Sequence, residues 1–230
     1  MKKVFVIFTL LISFALTDLA FAQDSKATVY GRIFMPVVKK KSRTFRGRLY
    51  RNRLSSRKKR QKTATAPRTS FQDVIIAAYP LSFKPKTEPL KKARILQKNA
   101  EFRPHVLAVT PGTRVQFINL DRFFHNVFSY TPGAKFNIGR RPTNSVYSRK
   151  IYKTGKINLF CDIHSQMNAT IVSLDTPYFT QAGKTGVYLL KELPPGKYRI
   201  EVMHPDFPTT ESEITVKANE KQEQSFTLSK

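Results

Sequence analysis

The sequence predicts an all-β protein, and three observations carry this prediction. Short apolar runs rich in Val, Ile, Phe and Tyr recur along the chain and are bounded by turn residues, as strands are. Fourteen prolines are spread over 230 residues, which disfavours long helices. In residues 113–119, Val115 and Phe117 alternate with Arg114 and Gln116, which is the pattern of a half-buried antiparallel strand.

The expected strands follow one another along the chain. Their ranges are Ala27–Met35, Asp73–Tyr79, Ala93–Gln97, Phe102–Val109, Thr113–Asn119, Lys156–Cys161 and Asn168–Leu174. We expect residues 120–124 to form a turn that delivers His125 to the start of the next strand, and residues 133–152 to form a long loop with short strands. In residues 156–161, Ile157, Leu159 and Cys161 alternate onto one face, which predicts a cysteine that points inward at a strand end.

Residues 1–22 have the pattern of a cleaved secretory signal. Lys2 and Lys3 precede an apolar run, and the segment ends in the small-residue sequence Ala20-Phe21-Ala22. The apolar run is shorter than the roughly 20 residues that a membrane anchor needs. We therefore expect a soluble mature protein that is exported to the periplasm.

Residues 39–68 hold fourteen Lys or Arg and no Asp or Glu, within a chain of formal net charge +26. No sustained apolar periodicity runs through them, so we expect a disordered polybasic insert over residues 39–70, between the first two strands of residues 23–92. Two interpretations stay open for it: an arm that binds an anionic membrane or cell-surface polymer, and a solvated loop with no specific partner. Nucleic acid is not an expected partner of an exported protein.

Cys161 is the only cysteine, and an unpaired thiol is a liability in an oxidising compartment unless something protects it. His164 and Met167 follow it by three and six residues, and His125 lies 36 residues upstream. Two imidazoles, a thiolate and a weak thioether form the ligand set of a type 1, or blue, copper site. The alternative is a buried, inert cysteine that only fills space in a β core.

The remaining histidines bear on how many metal ions the chain binds. His105 and His204 do not lie in a His-x-His pair, and we expect both to be non-ligands, the first in a strand and the second in a turn. A binuclear copper centre needs a second cysteine, so the inventory allows one mononuclear site. Two interpretations are open for the phenylalanines that flank His125: core packing of at least one ring, or an apolar collar around the metal. These residues are Phe123, Phe124 and Phe128.

Residues 93–174 resemble the cupredoxin, or plastocyanin-like, family. The resemblance rests on Phe102-x-Pro104, Val109-x-x-Gly112-x-x-Val115-x-Phe117-x-Asn119-x-Asp121, His125-Asn126 and Phe160-Cys161-x-x-His164-x-x-Met167, and the last loop is similar in length to that of amicyanin. It implies a Greek-key β-sandwich with His125, Cys161 and His164 as the trigonal ligands and Met167 as the axial one. It also implies that Asn126 links the two ligand-bearing loops and that His164 is the electron exit. The sequence looks closest to exported bacterial proteins described as methylamine-utilisation or plastocyanin-like.

Residues 175–230 resemble a carboxypeptidase regulatory-like β module. The resemblance rests on the turn Leu193-Pro194-Pro195-Gly196-Lys197-Tyr198 between alternating strands. A module of this length is small for a sandwich, so we expect it to pair with the N-terminal strands. No catalytic zinc set or activated nucleophile accompanies it, and we do not expect an enzyme.

Two functions from different classes fit these expectations. The first is a periplasmic carrier of single electrons, which the basic surface steers to an acidic redox protein such as a cytochrome or a dehydrogenase. The second is a copper storage, delivery or sensing protein at the cell surface. A third possibility is a structural β-sandwich whose site never receives a metal.

Overall fold

The computed structural model describes residues 26–36 and 70–230. In these ranges every element is a strand except a 3-10 helix at Phe71–Asp73, so the all-β prediction is confirmed. Within the same ranges no helix has the length and hydropathy of a membrane span. The expected signal peptide and almost all of the expected polybasic insert lie outside the described residues. The strands are β1 Ala27–Phe34, β2 Ile75–Pro80, β3 Ala93–Gln97, β4 Phe102–Arg103, β5 Val106–Val109, β6 Thr113–Asn119, β7 Phe128–Ser129, β8 Phe136–Asn137, β9 Val146–Ile151, β10 Gly155–Phe160, β11 Asn168–Ser173, β12 Phe179–Gln181, β13 Val187–Leu193, β14 Gly196–His204, β15 Phe207–Val216, β16 Lys221–Glu223 and β17 Phe226–Thr227.

Strands β3 to β11 form a sandwich of two sheets, here called the central sandwich. One sheet has the strand order β4-β3-β6-β9 and the other has the order β5-β11-β10-β7-β8. Alternate residues of β6 and β10 point into the space between the sheets, where Val115, Phe117, Ile157 and Leu159 are buried. Their inward faces belong to one apolar core that also contains Cys161. The inward cysteine at a strand end therefore follows from the alternation of β10.

The remaining strands form a second sandwich, here called the terminal sandwich. Its sheets have the orders β13-β1-β16, with β17 also paired to β1, and β12-β2-β14-β15. The expected pairing of the C-terminal strands with the N-terminal ones is observed, because β1 lies against β13 and β2 lies between β12 and β14. The central sandwich is thus inserted in the chain between β2 and β12. Close approach is needed at Gly31 of β1, where a Cβ atom would overlap the backbone carbonyl of Gln224.

The two sandwiches pack against each other through their outer faces. Ile75 and Ala77 of β2 and Met203 of β14 contact a matching apolar group from the central sandwich, and all of these side chains are buried. The central group consists of Val106, Val172 and Leu174. This contact places the start of β2 beside β11, the strand that follows the predicted metal-binding loop.

Several local predictions need correction. The strand expected over residues 102–109 is two strands in different sheets, because Pro104 has no N–H to continue the ladder. The strand expected at Asp73 begins at Ile75, because Ser70 caps a 3-10 turn that occupies residues 71–73. His105 lies in the bend between β4 and β5, and His204 is the last residue of β14 and is not in a turn. His125 makes an isolated bridge with Arg141 and does not begin the next strand.

Candidate metal centre

His125 lies at the centre of the candidate site. Its backbone is held by two hydrogen bonds to Arg141, and its side chain is fully buried. Nε2 lies 2.7 Å from Oδ2 of Asp121, and since an ionised carboxylate only accepts hydrogen bonds, Nε2 carries the ring proton. Nδ1 then presents a lone pair, and within residues 26–36 and 70–230 it has no hydrogen-bond partner. A buried imidazole nitrogen without a partner is available as a metal ligand where other donor atoms lie nearby.

Asp121 is held in place by the turn that precedes His125. Its carboxylate accepts hydrogen bonds from the backbone N–H of Asn99 at 2.7 Å and of Ala100 at 2.9 Å. Burial works to raise the pKa of Asp121, but the bonds from Ala100, His125 and Asn99 outweigh it and lower the pKa of this carboxyl. Asn119 braces the same turn by donating to the carbonyls of Phe123 and Arg141. A carboxylate behind a ligating histidine fixes the orientation and the tautomer of the ring.

Cys161 and His164 approach His125 from the loop between β10 and β11. The Cys161 side chain is 5 % exposed, and its Sγ lies 4.0 Å from Nδ1 of His164. One ligand atom from each of the three residues lies within 4.8 Å of the others. With metal–nitrogen and metal–sulfur bonds of about 2.1 and 2.3 Å, three ligand atoms in a trigonal arrangement on one ion lie roughly 3.6 to 3.8 Å apart. A movement of up to about 1 Å therefore brings all three onto one ion.

Met167 lies at the end of the same loop. Its N–H donates to the carbonyl of His164 at 2.9 Å, which closes the loop, and its side chain is 1 % exposed in the core cluster that contains Cys161. Asn126 does not show the expected link between the two ligand loops among the hydrogen bonds of the described residues. Its Oδ1 is buried without a partner, and its carbonyl accepts a bond from Gln97.

An exposed aromatic surface surrounds the site. The Phe123 ring lies 4.9 Å from the His125 ring and 5.2 Å from the His164 ring, so it covers both imidazoles. Phe123 and Phe124 are 45 % and 54 % exposed, and with Ile163 and His164 they line a shallow depression edged by Arg140. Core packing is therefore wrong for Phe123 and Phe124, and Phe128 is only half-buried against Phe160.

Sequence reasoning missed two features of the site. Asp121 carried no expected role, although its position four residues before His125 was a signal that its carboxylate reaches the ring. Phe123 was expected to pack in the core or to form a collar, but its simultaneous contact with two imidazoles depends on how the loops meet in space. His105 and His204 do not belong to the group of potential ligands within the described ranges.

Comparison with known proteins gives one family match and several similar structures. Residues 165–229 match the model of the carboxypeptidase regulatory-like domain. The matched residues include β11 to β17 but not β1 or β2. A search of curated proteins found no significant match. A purple cupredoxin from Nitrosopumilus maritimus is 20 % identical over 36 % of this chain and 100 % of its own, with a TM-score of 0.33.

Two further structures are similar to part of the chain. A copper-containing nitrite reductase from Thermus scotoductus is 24 % identical over 42 % of this chain and 25 % of its own, with a TM-score of 0.35. An amicyanin variant in its Cu(I) form is 18 % identical over 43 % of this chain and 99 % of its own, with a TM-score of 0.35.

Proposed function

We propose that the protein is an exported carrier of single electrons with one type 1 copper ion as its resident cofactor. The ligands are His125, Cys161, His164 and Met167. The observation that carries this proposal has two parts: within the described residues Nδ1 of His125 is buried without a partner, and a ligand atom of this residue lies within 4.8 Å of ligand atoms from a thiol and a second imidazole. Copper bound by this donor set supplies a one-electron couple.

The protein's contribution is a ligand set that resists rearrangement. His125 is fixed by Asp121 on one side and by its backbone bonds to Arg141 on the other. Cys161 follows directly on β10, whose six residues all pair with β11. Ligands attached to packed strands move little when the charge of the site changes, and this keeps the reorganisation that accompanies electron transfer small.

Burial favours a carrier over an enzyme. His125, Cys161 and Met167 are 0 %, 5 % and 1 % exposed, so a substrate cannot approach them directly. A catalytic metal site instead keeps an open position for substrate or water. His164 is the most exposed of the four and lies among apolar side chains, which suits brief contact with a redox partner.

Charge supports an acidic partner, such as a cytochrome or a dehydrogenase. The chain has 41 Lys or Arg against 15 Asp or Glu, and Arg140 lies at the rim of the apolar depression with an exposed side chain. Opposite charges speed the encounter of two proteins and orient them. Export to the periplasm and binding of an anionic surface polymer by residues 39–68 belong to the same proposal.

The test is the visible spectrum of the mature protein loaded with Cu(II), next to that of Cys161→Ser. We expect an intense thiolate-to-copper band in the red for the parent and its loss in the variant. Stoichiometric Cu(II) binding with only weak absorption in the parent contradicts a type 1 site. If the band is present, electron self-exchange and copper transfer to an apo-acceptor are measured next. Slow self-exchange with ready copper transfer favours storage or delivery over electron transfer.

A further inference from the structure

A chain of side-chain hydrogen bonds joins the terminal sandwich to the metal-binding loop. Oδ2 of Asp73 lies 2.9 Å from Nδ1 of His105, and Nε2 of His105 lies 3.1 Å from Oδ1 of Asn168. Asn168 directly follows Met167 and donates from Nδ2 to the carbonyl of Gln166 at 3.1 Å. A residue of one sandwich is thus connected through three side chains to the ends of the peptide segment that holds Met167.

The direction of these bonds follows from the chemistry of their partners. Because Nδ2 of Asn168 donates to Gln166, its Oδ1 is the atom that faces His105 and accepts from Nε2. On the other side of the ring, Oδ2 of Asp73 lies within hydrogen-bond distance of Nδ1. The His105 ring is thus held between two oxygen atoms, and these two contacts fix its orientation.

Asn168 is hydrogen-bonded to the residue that precedes Met167. Its Nδ2 donates to the carbonyl of Gln166, and the Met167 N–H donates to the carbonyl of His164. Asn168 is also the first residue of β11 and pairs with Phe160, the residue before Cys161. A displacement of Asn168 therefore moves the methionine relative to both loop ligands.

The far end of the chain of bonds is anchored in the terminal sandwich. Asp73 is 6 % exposed and closes a 3-10 turn in which Ser70 caps the N–H of Gln72. The same turn leads into β2, whose Ile75 is part of the apolar contact between the two sandwiches. On the other side, the His105 carbonyl accepts from the N–H of Thr170 in β11.

We propose that Asp73 and His105 are positioning residues for the metal centre, and that they act through Asn168 on Met167. The terminal sandwich then contributes to the metal site without supplying a ligand. Partners that hold a metal-binding segment in place commonly change metal affinity by about 10 to 100-fold when they are removed. The part of this inference that concerns copper rests on the proposed function, whereas the part that concerns the loop does not.

The test compares Asp73→Ala and Asp73→Asn with the parent and with Glu101→Gln. Glu101 lines the same cleft as Asp73, and among the residues that the structure describes its carboxylate pairs with Arg103 at the surface, so its variant removes a nearby carboxylate outside the chain of bonds. The first readout is hydrogen exchange of the Met167 amide in metal-free protein. The second is the Cu(I) dissociation constant and the reduction potential of loaded protein. All variants are compared under conditions in which the backbone amides of β2 remain protected from hydrogen exchange.

For Asp73→Ala we expect exchange of the Met167 amide to be about tenfold faster, Cu(I) binding to be about tenfold weaker and the potential to shift. Asp73→Asn keeps an oxygen acceptor for His105 and gives a smaller change, which keeps the test decisive if the alanine variant does not fold. Glu101→Gln leaves all three unchanged. Exchange, affinity and potential equal to the parent's in a folded Asp73 variant overturn the inference. The Met167 amide could exchange faster in the Asp73 variants while neither the variants nor the parent show the thiolate-to-copper band. That result supports the positioning role and rejects the proposed function.

Discussion

Asp121 and His125 are joined by a 2.7 Å hydrogen bond between Oδ2 and Nε2, and this bond decides which nitrogen of His125 faces the candidate metal site. With the proton on Nε2, the lone pair is on Nδ1, the buried atom without a partner. The carboxylate is itself held by two backbone N–H groups. The orientation of a candidate ligand thus depends on a residue outside the candidate ligand set.

Removal of this carboxylate should weaken metal binding. In Asp121→Ala the His125 ring loses both its orientation and its tautomer preference, and we expect copper affinity to fall by about 10 to 100-fold. Asp121→Asn keeps an acceptor and should fall less. Competition with a chelator of known affinity measures the change. Asp162→Asn removes a carboxylate from the ligand loop that lies 3.8 Å from Arg140, and it should stay within about threefold of the parent. An equal loss in Asp162→Asn would contradict the specific role of Asp121.

Met167→Leu tests whether the thioether is a ligand. The two side chains have similar volume, so the fold should lose less than about 1.5 kcal/mol. Loss of the weak axial donor leaves three ligands, which suit Cu(I) better than Cu(II), so the reduction potential should rise, and about 59 mV corresponds to a tenfold change in the ratio of the two affinities.

Voltammetry measures the potential of this variant, and the thiolate band should persist because Cys161 is unchanged. Met203→Leu is the matched control, since Met203 is a buried methionine of the contact between the sandwiches. The same potential for parent, Met167→Leu and Met203→Leu would remove Met167 from the ligand set.

Arg140→Gln tests whether the charged rim of the apolar depression guides a partner. We expect oxidation by an anionic reagent such as ferricyanide to slow by about twofold to fivefold at low ionic strength, because the encounter loses one favourable charge. The difference should shrink as salt is added. Stopped-flow kinetics measures both effects. Lys191→Gln makes the same charge change at an exposed position of β13 in the terminal sandwich, and should have little effect. An equal reduction by both variants would indicate net charge alone.

The sequence was sufficient for elements whose pattern is local. The strands Ala93–Gln97 and Thr113–Asn119 have the bounds that their apolar alternation predicts, and the alternation of Ile157 and Leu159 places Cys161 at the core. The residue types at positions 125, 161 and 164 were enough to nominate a metal group, because few donor sets contain one thiol and two imidazoles.

Contacts between distant segments were not predictable from the same patterns. Alternation predicts which face of a strand is buried, but it does not predict which side chain of a distant segment packs against that face. Asp73 and His105 are separated by 31 residues in the chain and belong to different sandwiches, so their bond depends on how the two sheets pack. The burial of His204 has the same origin. A histidine before Pro205 suggests a turn, but His204 is the last residue of β14 and is buried.

Gly31→Ala should destabilise the terminal sandwich. A Cβ atom at this position overlaps the carbonyl of Gln224, which is backbone and cannot rotate away. Gln224 also donates its N–H to the carbonyl of Tyr30, so the clash disturbs the pairing of β1 with the C-terminal strands. Overpacking of this kind costs about 1 to 3 kcal/mol. Urea unfolding measures it, and Gly183→Ala is the control because its Cβ meets only an ordinary contact at 3.4 Å. Equal stability of the two variants would contradict the close approach at Gly31.

His204 should make stability depend on pH. Burial lowers the pKa of this imidazole, against the nearby carboxylates of Asp73 and Asp206, which raise it. The unfolded chain therefore takes up the proton first as the pH falls below about 6.5, and the folded protein loses stability from there down to the lowered pKa, by at most about 1.4 kcal/mol per pH unit for one proton. In the parent, Nδ1 of His204 accepts a hydrogen bond from the N–H of Asp206. His204→Asn keeps an acceptor for this bond, but its side chain does not titrate. We expect the free energy of unfolding of metal-free protein, measured by urea titration between pH 7.5 and 5, to fall less steeply in the variant, while the neighbours His105 and Lys156 are common to both proteins. Parallel curves for parent and variant would show that the His204 proton is not linked to folding.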